Sequence, residues 1–216
     1  MIKVLVVDDH DLVRMGIARM LEDEEGIKVI GEASNGEDAI KLTRELAPDV
    51  VLMDVKMPGI GGLEATRKIL RANAEVRIIA VTACAEEPFP SRVLQAGASG
   101  YLTKGAGIEE MVMAIHQVHH GQRYLSPEIA QALALKQLSL DGKTTPFETL
   151  SEREMQITIM IVNCQKVQEI SDALCVSPKT VNSYRYRIFE KLEISSDVEL
   201  TLLAMRHGIV DSESID

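Results

Sequence analysis

Carboxylates follow short apolar runs at two places in the first half of the chain. Asp8 and Asp9 follow the run IKVLVV, and Asp54 follows the run VVLM. Such runs predict buried parallel strands, whose carboxyl ends meet at one edge of a sheet. Carboxylates that lie close together repel one another, and a hard divalent cation relieves that repulsion. We therefore expect Mg²⁺ to be bound by Asp9, Asp54 and the backbone carbonyl of Lys56, with Asp8 holding it through water.

Asp54 is also placed for covalent chemistry, because a carboxylate can accept a phosphoryl group once a metal ion is present. Thr82 and Lys104 follow two further predicted strands, where a hydroxyl group and an ammonium group would contact phosphate oxygens. Each residue has an ordinary alternative: a turn cap for Asp54, a β-branched strand residue for Thr82 and a solvated lysine for Lys104. Their shared position at strand ends favours the chemical interpretation.

The elements around these residues alternate regularly. Apolar runs and helix-period patterns over about the first 120 residues predict an α/β fold, a flavodoxin-like, doubly wound, five-stranded parallel sheet. The first predicted helix has apolar residues at helical spacing, namely Val13, Ile17, Met20 and Leu21. The second has one face formed by Ala39, Ile40, Thr43 and Leu46. The segment TACAEEPFP from Thr82 to Pro90 gives no clear helix boundary.

A small all-α domain is predicted after a linker. Ser126-Pro127 predicts the start of a short helix, and DGKTTP after it has little apolar periodicity. Ser151 and Glu154 have the spacing of a capping box, and the short turn between the second and third helices of this domain is typical of a helix-turn-helix. The predicted boundaries are 1–120 for the first domain, 121–146 for the linker with its short helix, 147–208 for the second domain and 209–216 for an acidic tail.

Composition limits the class of protein. Hydrophobic residues make up 46% of the chain, which excludes a disordered protein. No run approaches the roughly 18 apolar residues of a membrane span, and the N-terminus lacks the apolar core of a signal peptide, so a cytoplasmic protein that does not bind a membrane is expected. The three cysteines, Cys84, Cys164 and Cys175, have neither disulfide nor zinc spacing and are interpreted as reduced, small apolar residues. The five histidines are interpreted as surface or loop residues.

The net negative charge of the chain excludes nucleic-acid binding through overall electrostatic attraction. The net charge is −10; residues 1–130 contain 14 basic and 20 acidic residues, and residues 147–216 contain 7 and 12. Any binding must come from a local patch. The predicted third helix of the second domain provides one, because residues 177–191 contain four basic residues and one acidic residue.

The exposed face of that third helix is predicted to contact DNA in the major groove. Val181, Ile188 and Leu192, joined by Tyr184, have core spacing. Asn182, Ser183 and Tyr186 are candidates for base edges, and Arg185 for guanine or phosphate. The phosphate candidates are Lys179, Arg187 and Lys191. The alternative is a solvated basic helix face.

The last predicted helix has an apolar stripe formed by Val198, Leu202 and Met205. Two interpretations stay open at this point. The stripe either joins two copies of the chain or packs within its own domain.

The first half of the chain resembles the response-regulator receiver domain. The resemblance covers about residues 1–120 and rests on Asp8-Asp9, on D-x-x-M-P-x-x-x-G from Asp54, on Thr82, and on Tyr101 three residues before Lys104. It implies that Asp54 is phosphorylated, that Thr82 and Tyr101 form a switch pair pulled inward by the phosphate, and that Lys104 senses the phosphate.

The second half resembles the LuxR-type DNA-binding domain of the NarL/FixJ subfamily, through LSERE, EIS, SPKTV and KL. This resemblance implies that the last helix pairs two copies on double-stranded DNA, giving a homodimer when the chain is phosphorylated. Over nearly its full length the chain is similar to regulators of the GacA/UvrY type, through stretches such as VDDHDLVRMGI and GQRYLSPEIAQ. That likeness implies a tripartite sensor histidine kinase of the GacS/BarA kind as phosphodonor and promoters of small regulatory RNAs as targets.

Two other classes were compared with this interpretation. A phosphatase or phosphotransferase with an Asp nucleophile usually has a second carboxylate two residues later as general acid, and Lys56 occupies that position. A nucleotide-binding flavodoxin-like module would have a glycine-rich anion loop after the first strand, where this chain has Asp8, Asp9 and Asp11. We therefore expect a transcription regulator and not an enzyme acting on other substrates.

Overall fold

The computed structural model describes residues 1–83, 89–138 and 145–210. The chain divides into two compact units, Met1–Leu140 and Asp141–Asp216. Cys84, the Asp141-Gly142 part of the predicted linker and the tail beyond Val210 lie outside the described residues. The finer domain boundaries stay predictions.

The first unit is built on a parallel sheet in the order β2-β1-β3-β4-β5-β6. Its central strand is buried at every position, as expected for a sheet covered on both faces. The predicted doubly wound sheet is confirmed. The strands are β1 (Ile2–Val7), β2 (Ile27–Ala33), β3 (Val50–Met53), β4 (Arg77–Thr82), β5 (Gly100–Thr103) and β6 (Tyr124–Leu125).

Helices cover both faces of this sheet. Helices α1 and α5 contribute Ile17, Leu21, Ile115 and Val118 to one buried cluster with the strands. Helices α2, α3 and α4 contact one another in sequence order. The helices are α1 (Asp11–Glu22), α2 (Gly36–Leu46), α3 (Gly61–Ala72), α4 (Phe89–Gln95), α5 (Ile108–His119) and α6 (Pro127–Leu138).

The predicted apolar faces of α1 and α2 are only partly buried. Ile17 and Leu21 are buried in α1, whereas Met20 is 43% exposed. Met20 lies about 100° around the helix from Leu21, beyond the edge of the buried stripe. In α2, Ala39 and Thr43 are buried and Leu46 is 36% exposed.

The sixth strand, β6, adds to the five that were predicted. After α5, Gly121 takes a left-handed conformation with φ of +80°, and the chain turns back beside β5. The Tyr124 N–H donates to the Ser99 carbonyl at 3.1 Å, and the Ser126 N–H donates to the Tyr101 carbonyl at 3.1 Å. A strand of two residues is too short to show a period in sequence.

In the second unit, residues 145–210 form a 3₁₀ turn and four helices. The Ser151 N–H donates to the Glu154 carboxylate at 2.7 Å and the Glu154 N–H donates to the Ser151 hydroxyl at 3.3 Å, so the predicted capping box is confirmed. Phe147, Met155 and Ile188 are among its fully buried residues. The elements are the turn Pro146–Thr149 and helices α7 (Glu152–Val162), α8 (Val167–Leu174), α9 (Pro178–Leu192) and α10 (Asp197–Arg206).

The turn between α8 and α9 is short, as predicted. Cys175 ends α8 in a left-handed conformation with φ of 52°, and Ser177 caps α9 by accepting from the Thr180 N–H at 3.1 Å. Cys175 and Cys164 are both free thiols, as interpreted from the sequence, and both are exposed. Within the described ranges, no helix combines the length and the apolar character that crossing a membrane requires.

Candidate functional site

The carboxyl ends of β1 and β3 bring two buried carboxylates together. The strands pair in parallel with Val7 opposite Met53, so Asp8 and Asp54 follow at the same edge. The Asp54 N–H donates to the Val7 carbonyl at 2.8 Å, which fixes the position of this residue. Asp8 is 1% exposed and Asp54 is 2% exposed. Both carboxylates have thus lost most of their contact with water.

Lys104 reaches the same two carboxylates from β5. Its N–H donates to the Thr82 carbonyl at 3.0 Å, so the β4–β5 pairing continues beyond Thr103 and places its side chain at this edge. Its Nζ lies 2.7 Å from an Asp8 oxygen and 2.8 Å from an Asp54 oxygen. Residues from three separate strand ends therefore meet in one cluster.

The cluster changes the acidity of its members. Burial raises the pKa of Asp54 from 3.8 to about 6, although Lys104 opposes the shift. For Lys104, burial lowers the pKa, but contacts with Asp54 and Asp8 outweigh it and the pKa is raised. Lys104 therefore stabilises the ionised form of Asp54. A carboxylate that is ionised and poorly solvated is suited to act as a nucleophile.

Thr82 lies on β4, the strand next to β3, and Tyr101 lies on β5, one strand further along the sheet. Both side chains are wholly buried, at 0% exposure. The sequence suggested that phosphorylation pulls this pair inward, yet Tyr101 already occupies a buried position in the present structure. Its strand is covered by β6, because the Tyr101 carbonyl accepts from Ser126. An inward movement of Tyr101 is not needed from this conformation.

The same edge has the donor set of a hard cation. Ligand atoms of Asp8, Asp9, His10 and Asp54 all lie within 4.8 Å of one another. Asp9 Oδ1 is buried and makes no hydrogen bond to the described residues, although His10 Nδ1 lies 2.9 Å away. A buried carboxylate oxygen without a donor fits a metal ligand, and clustered carboxylates fit Mg²⁺. The Lys56 N–H donates to Asp54 Oδ1 at 3.2 Å, so the loop after Asp54 borders the cluster.

Two residues at this site were missed from sequence. His10 was interpreted as a surface residue, and its ring is exposed but contacts the Asp9 carboxylate. Arg14 donates to the Asp8 carbonyl at 2.8 Å and pairs with Asp11 at 2.6 Å. The hydrogen bond from Arg14 to Asp11 is the main reason that the pKa of Arg14 is raised. The sequence feature that could have identified them is their position, because both residues follow Asp8-Asp9 by five residues or fewer.

The basic face of α9 forms a second candidate site. Val181, Ile188 and Leu192 are buried as predicted, while Tyr184 is only half-buried beneath Arg187, whose guanidinium carbon lies 5.7 Å from the ring centre. Tyr186 is 72% exposed. The other predicted DNA contacts are exposed or half-buried on this helix: Lys179, Asn182, Ser183, Arg185, Arg187 and Lys191.

Two of these cations have partners inside the unit. Arg185 forms a bidentate ion pair with Asp197 at the start of α10. Lys191 donates to the Glu154 carboxylate at 2.7 Å and to the Thr149 carbonyl at 3.2 Å. Burial raises the pKa of Glu154, but hydrogen bonds from Lys191 and Ser151 outweigh it and the pKa is lowered. Neither pair could be predicted from spacing along the chain, because each joins residues of different helices.

The apolar stripe of α10 is exposed. Val198 is 69% exposed, Leu202 is 50% exposed and Met205 is 36% exposed. Leu200 and Ala204 are the buried residues of this helix. Packing within the unit therefore uses a different face of α10 from the predicted stripe.

Comparisons with known proteins identify similar chains for both halves. Residues 4–116 match the family model of the response regulator receiver domain, and residues 148–204 match that of bacterial regulatory proteins of the luxR family. The chain is 69% identical to response regulator GacA of Pseudomonas aeruginosa over 214 residues, which are 99% of this chain and 100% of that protein. It is 60% identical to response regulator UvrY of Escherichia coli over 215 residues, 100% of this chain and 99% of that one.

A solved structure is similar over both units. RcsB from Salmonella enterica serovar Typhimurium, bound to promoter rprA in the presence of the phosphomimetic BeF3⁻, matches with a TM-score of 0.71 and 25% identity, covering 94% of this chain and 98% of that one. A LuxR-family two-component response regulator from an Aurantimonas species matches with a TM-score of 0.62 and 40% identity, covering 64% of this chain and 99% of that one.

Proposed function

Because this chain belongs to the response regulators that join a receiver domain to a LuxR-type DNA-binding domain, we propose that phosphorylation of Asp54 controls its binding to promoter DNA. As a DNA-binding transcription regulator, it is not an enzyme acting on other substrates. The observation that carries the proposal is the buried Asp54 carboxylate at the end of β3, in contact with Lys104 and next to Asp8.

The chemistry would run through this cluster. Asp8, Asp9, Asp54 and the Lys56 carbonyl would hold Mg²⁺, which supplies positive charge to the phosphoryl oxygens. A carboxylate oxygen of Asp54 would attack phosphorus as the bond between phosphorus and the leaving group breaks, with the electron pair of that bond going to the leaving group. Lys104, 2.8 Å from Asp54, can turn its ammonium group to the phosphoryl oxygens, and the Thr82 hydroxyl can donate to another of them.

The donor would be a sensor histidine kinase. A tripartite kinase of the GacS/BarA kind is proposed because the chain is 69% identical to a GacA protein over nearly all of its length. The same likeness supports promoters of small regulatory RNAs as DNA targets. Because the proposed DNA targets are promoters, we propose that the chain acts in the cytoplasm.

For DNA binding we propose that the exposed face of α9 enters the major groove. Tyr186, Asn182 and Ser183 would reach base edges, and Lys179 and Arg187 would contact phosphates. Arg185 and Lys191 would have to leave Asp197 and Glu154 to do the same. Their contribution to affinity should therefore be smaller than that of Arg187.

Phosphorylation would act by shifting a population. Modified Asp54 adds negative charge beside Lys104 and Thr82, and this favours a receiver conformation that releases a DNA-competent homodimer. The exposed stripe of Val198, Leu202 and Met205 on α10 would form the contact between the two copies. Two copies of α9 would then read two half-sites.

The test uses the full-length protein, Mg²⁺ and a small phosphodonor such as acetyl phosphate. Intact mass should rise by one phosphoryl group, and the Asp54→Asn variant should stay unmodified. DNA footprints of both proteins, with and without the donor, should show stronger protection only for phosphorylated wild type. Equal labelling of the Asp54→Asn variant would contradict the assignment of the acceptor.

A further inference from the structure

The loop that follows Asp54, residues 55–61, contains two backbone conformations that residues other than glycine rarely adopt. Gly59 and Gly61 have φ values of +73° and +70°, in the left-handed region. The loop contains Lys56, whose N–H donates to Asp54 Oδ1 at 3.2 Å and whose carbonyl is a proposed metal ligand. Contacts that hold this loop therefore act on both the carboxylate and the metal site. We call residues 55–61 the Asp54 loop.

The amino end of α2 contacts the far side of the Asp54 loop. The Ile60 N–H donates to the Glu37 carboxylate at 3.2 Å. A Cβ atom added to Gly59 would lie 2.7 and 2.8 Å from the two Glu37 carboxylate oxygens, so this carboxylate lies directly against the Gly59 backbone. A Cβ atom on Gly36 would lie 2.8 Å from an Ile60 side-chain carbon and 3.0 Å from the Gly61 carbonyl oxygen.

The other end of the loop is held by the backbone of Asp54 itself. The Gly62 N–H donates to the Val55 carbonyl at 3.1 Å. A Cβ atom on Gly62 would lie only 1.8 Å from the Asp54 carbonyl oxygen, a separation that no side chain permits. The Asp54 loop is thus confined between Asp54 on one side and α2 on the other.

Glu37 is the acidic residue of this helix end that bonds to the loop. Asp38, next to it, is engaged locally: its carboxylate accepts from the Asn35 side-chain amide at 2.8 Å, and its N–H donates to the Asn35 side chain at 2.8 Å. Neither of these bonds reaches the Asp54 loop. The two adjacent carboxylates therefore differ in their bonding: Glu37 bonds to the Asp54 loop, and Asp38 bonds to Asn35.

We propose that Glu37 is a positioning residue for phosphorylation of Asp54. Its carboxylate fixes the Ile60 amide and the Gly59 backbone, and through them it holds the Asp54 loop so that the Lys56 carbonyl stays at the metal site. The hydrogen bond matters more than the negative charge, because Glu37 bonds a backbone amide of the loop. Only the phosphorylation part of this inference rests on the proposed function.

The experiment compares three variants of the full-length protein. Glu37→Ala removes the acceptor, Glu37→Gln keeps an acceptor without the charge, and Asp38→Asn makes the same chemical change at a carboxylate that does not bond to the loop. Three quantities are measured: hydrogen exchange of the Ile60 amide, the Kd for Mg²⁺ from amide shifts in a titration, and the rate of Asp54 phosphorylation as a function of Mg²⁺ concentration.

We expect Glu37→Ala to accelerate exchange at Ile60 and to raise the Kd for Mg²⁺, each by roughly tenfold, the size expected for loss of one charge-assisted hydrogen bond. Its phosphorylation rate should fall at low Mg²⁺ and approach the wild-type rate when Mg²⁺ is saturating. Glu37→Gln should stay within about threefold of wild type, since a neutral hydrogen bond is weaker but still present. Asp38→Asn should behave as wild type.

Two results would overturn the inference. Faster exchange at Ile60 with an unchanged Kd for Mg²⁺ would make Glu37 a structural contact only. A loss in Glu37→Gln as large as that in Glu37→Ala would assign the effect to charge and not to the hydrogen bond. Failure of wild-type Asp54 to be phosphorylated would instead contradict the proposed function, and the exchange and Mg²⁺ measurements would still test Glu37.

Discussion

At the scale of single residues, the burial of Asp54 should cost stability, as expected of a residue kept for the proposed phosphorylation. A carboxylate that is 2% exposed and beside Asp8 would be more stable protonated, and burial raises its pKa to about 6. Lys104 offsets part of this cost through its 2.8 Å contact. Functional sites commonly retain such unfavourable groups, and replacing them stabilises the fold.

The Asp54→Asn variant tests this cost directly in the absence of divalent metal. Because the pKa of folded Asp54 is about 6, above its ordinary value of 3.8, ionised Asp54 destabilises the fold at pH values above 6, and the penalty disappears as the pH falls below 4. Urea unfolding followed by circular dichroism in EDTA at pH 8 should show Asp54→Asn more stable than wild type by about 1–3 kcal/mol. The difference should shrink at pH 4. Wild type being the more stable protein at pH 8 would contradict the argument.

Glu154 should have the opposite pH dependence. Hydrogen bonds from Lys191 and Ser151 keep its pKa below 4.5, so its contribution to stability is present above that value and is lost as the pH falls through the lowered pKa. Glu154→Gln should lower the free energy of unfolding by about 1–3 kcal/mol at pH 7, because it leaves Lys191 unpaired beside a buried cap. Once the pH has fallen below the lowered pKa of Glu154, the variant and wild type should converge.

The matched control for that measurement is Glu190→Gln, the same change at an exposed residue next to Lys191. It should shift the free energy of unfolding by less than about 0.5 kcal/mol. An equal loss in both variants would mean that the contact between Glu154 and Lys191 contributes nothing specific.

Individual site residues could be predicted where their position in the chain fixes their position in the fold. Asp8, Asp54 and Lys104 end strands of a parallel sheet, so their convergence follows from topology alone. Glu37 and Arg14 could not be found this way, because their roles depend on which backbone group each side chain reaches.

At the scale of elements, α9 carries two kinds of cation. Lys191 is paired with Glu154, whereas Arg187 has no carboxylate partner among the described residues and stacks on Tyr184. Free cations can contact phosphate without breaking an existing pair. We therefore expect Arg187 to serve DNA affinity and Lys191 to serve the stability of the second unit.

Substitutions on α9 should show this separation. Arg187→Ala should weaken binding to all DNA sequences and reduce the salt slope by about one, with little change in stability. Lys191→Ala should mainly lower the free energy of unfolding of the second unit. Binding isotherms at several salt concentrations, together with urea unfolding, measure both effects. Identical changes in salt slope for the two variants would contradict the division.

Two residues of α9, Asn182 and Tyr186, test whether this helix contacts base edges. Asn182→Ala and Tyr186→Ala should relax preference at particular base pairs, each by about 1–3 kcal/mol, while leaving non-specific binding nearly unchanged. Binding to a set of single-base operator variants measures this. A uniform loss on every sequence would assign both residues to phosphate contact instead.

Helices and strands could be predicted from the sequence where they are long enough to show an apolar period or begin with a clear capping signal. The capping box of α7 and the proline at the start of α9 marked those helices clearly. The two-residue strand β6 has no period, and only the left-handed Gly121 and two backbone hydrogen bonds to β5 define it. The exposure of Met20 likewise depends on how its neighbours pack, which periodicity does not specify.

At the scale of the whole molecule, we expect charge to make one copy of the chain a weak DNA ligand. The net charge is −10, and the basic residues of α9 lie in a domain that is itself acidic. Bulk attraction therefore opposes binding, and non-specific affinity should be low. Linking two copies makes the second contact intramolecular and raises affinity without any new contact to DNA.

The exposed α10 stripe is where this link would form, and Leu202 is the residue to change. Phosphorylated wild type should sediment as a dimer, and Leu202→Glu as a monomer, because the substitution places a charge in an apolar contact. Affinity for DNA with two half-sites should fall by roughly 100-fold, while affinity for a single half-site should stay within about twofold. Leu202→Met, which conserves volume and apolar character, should behave as wild type. If Leu202→Glu still dimerises and binds paired half-sites normally, the copies must associate through another surface, and the exposure of this stripe would need a different partner.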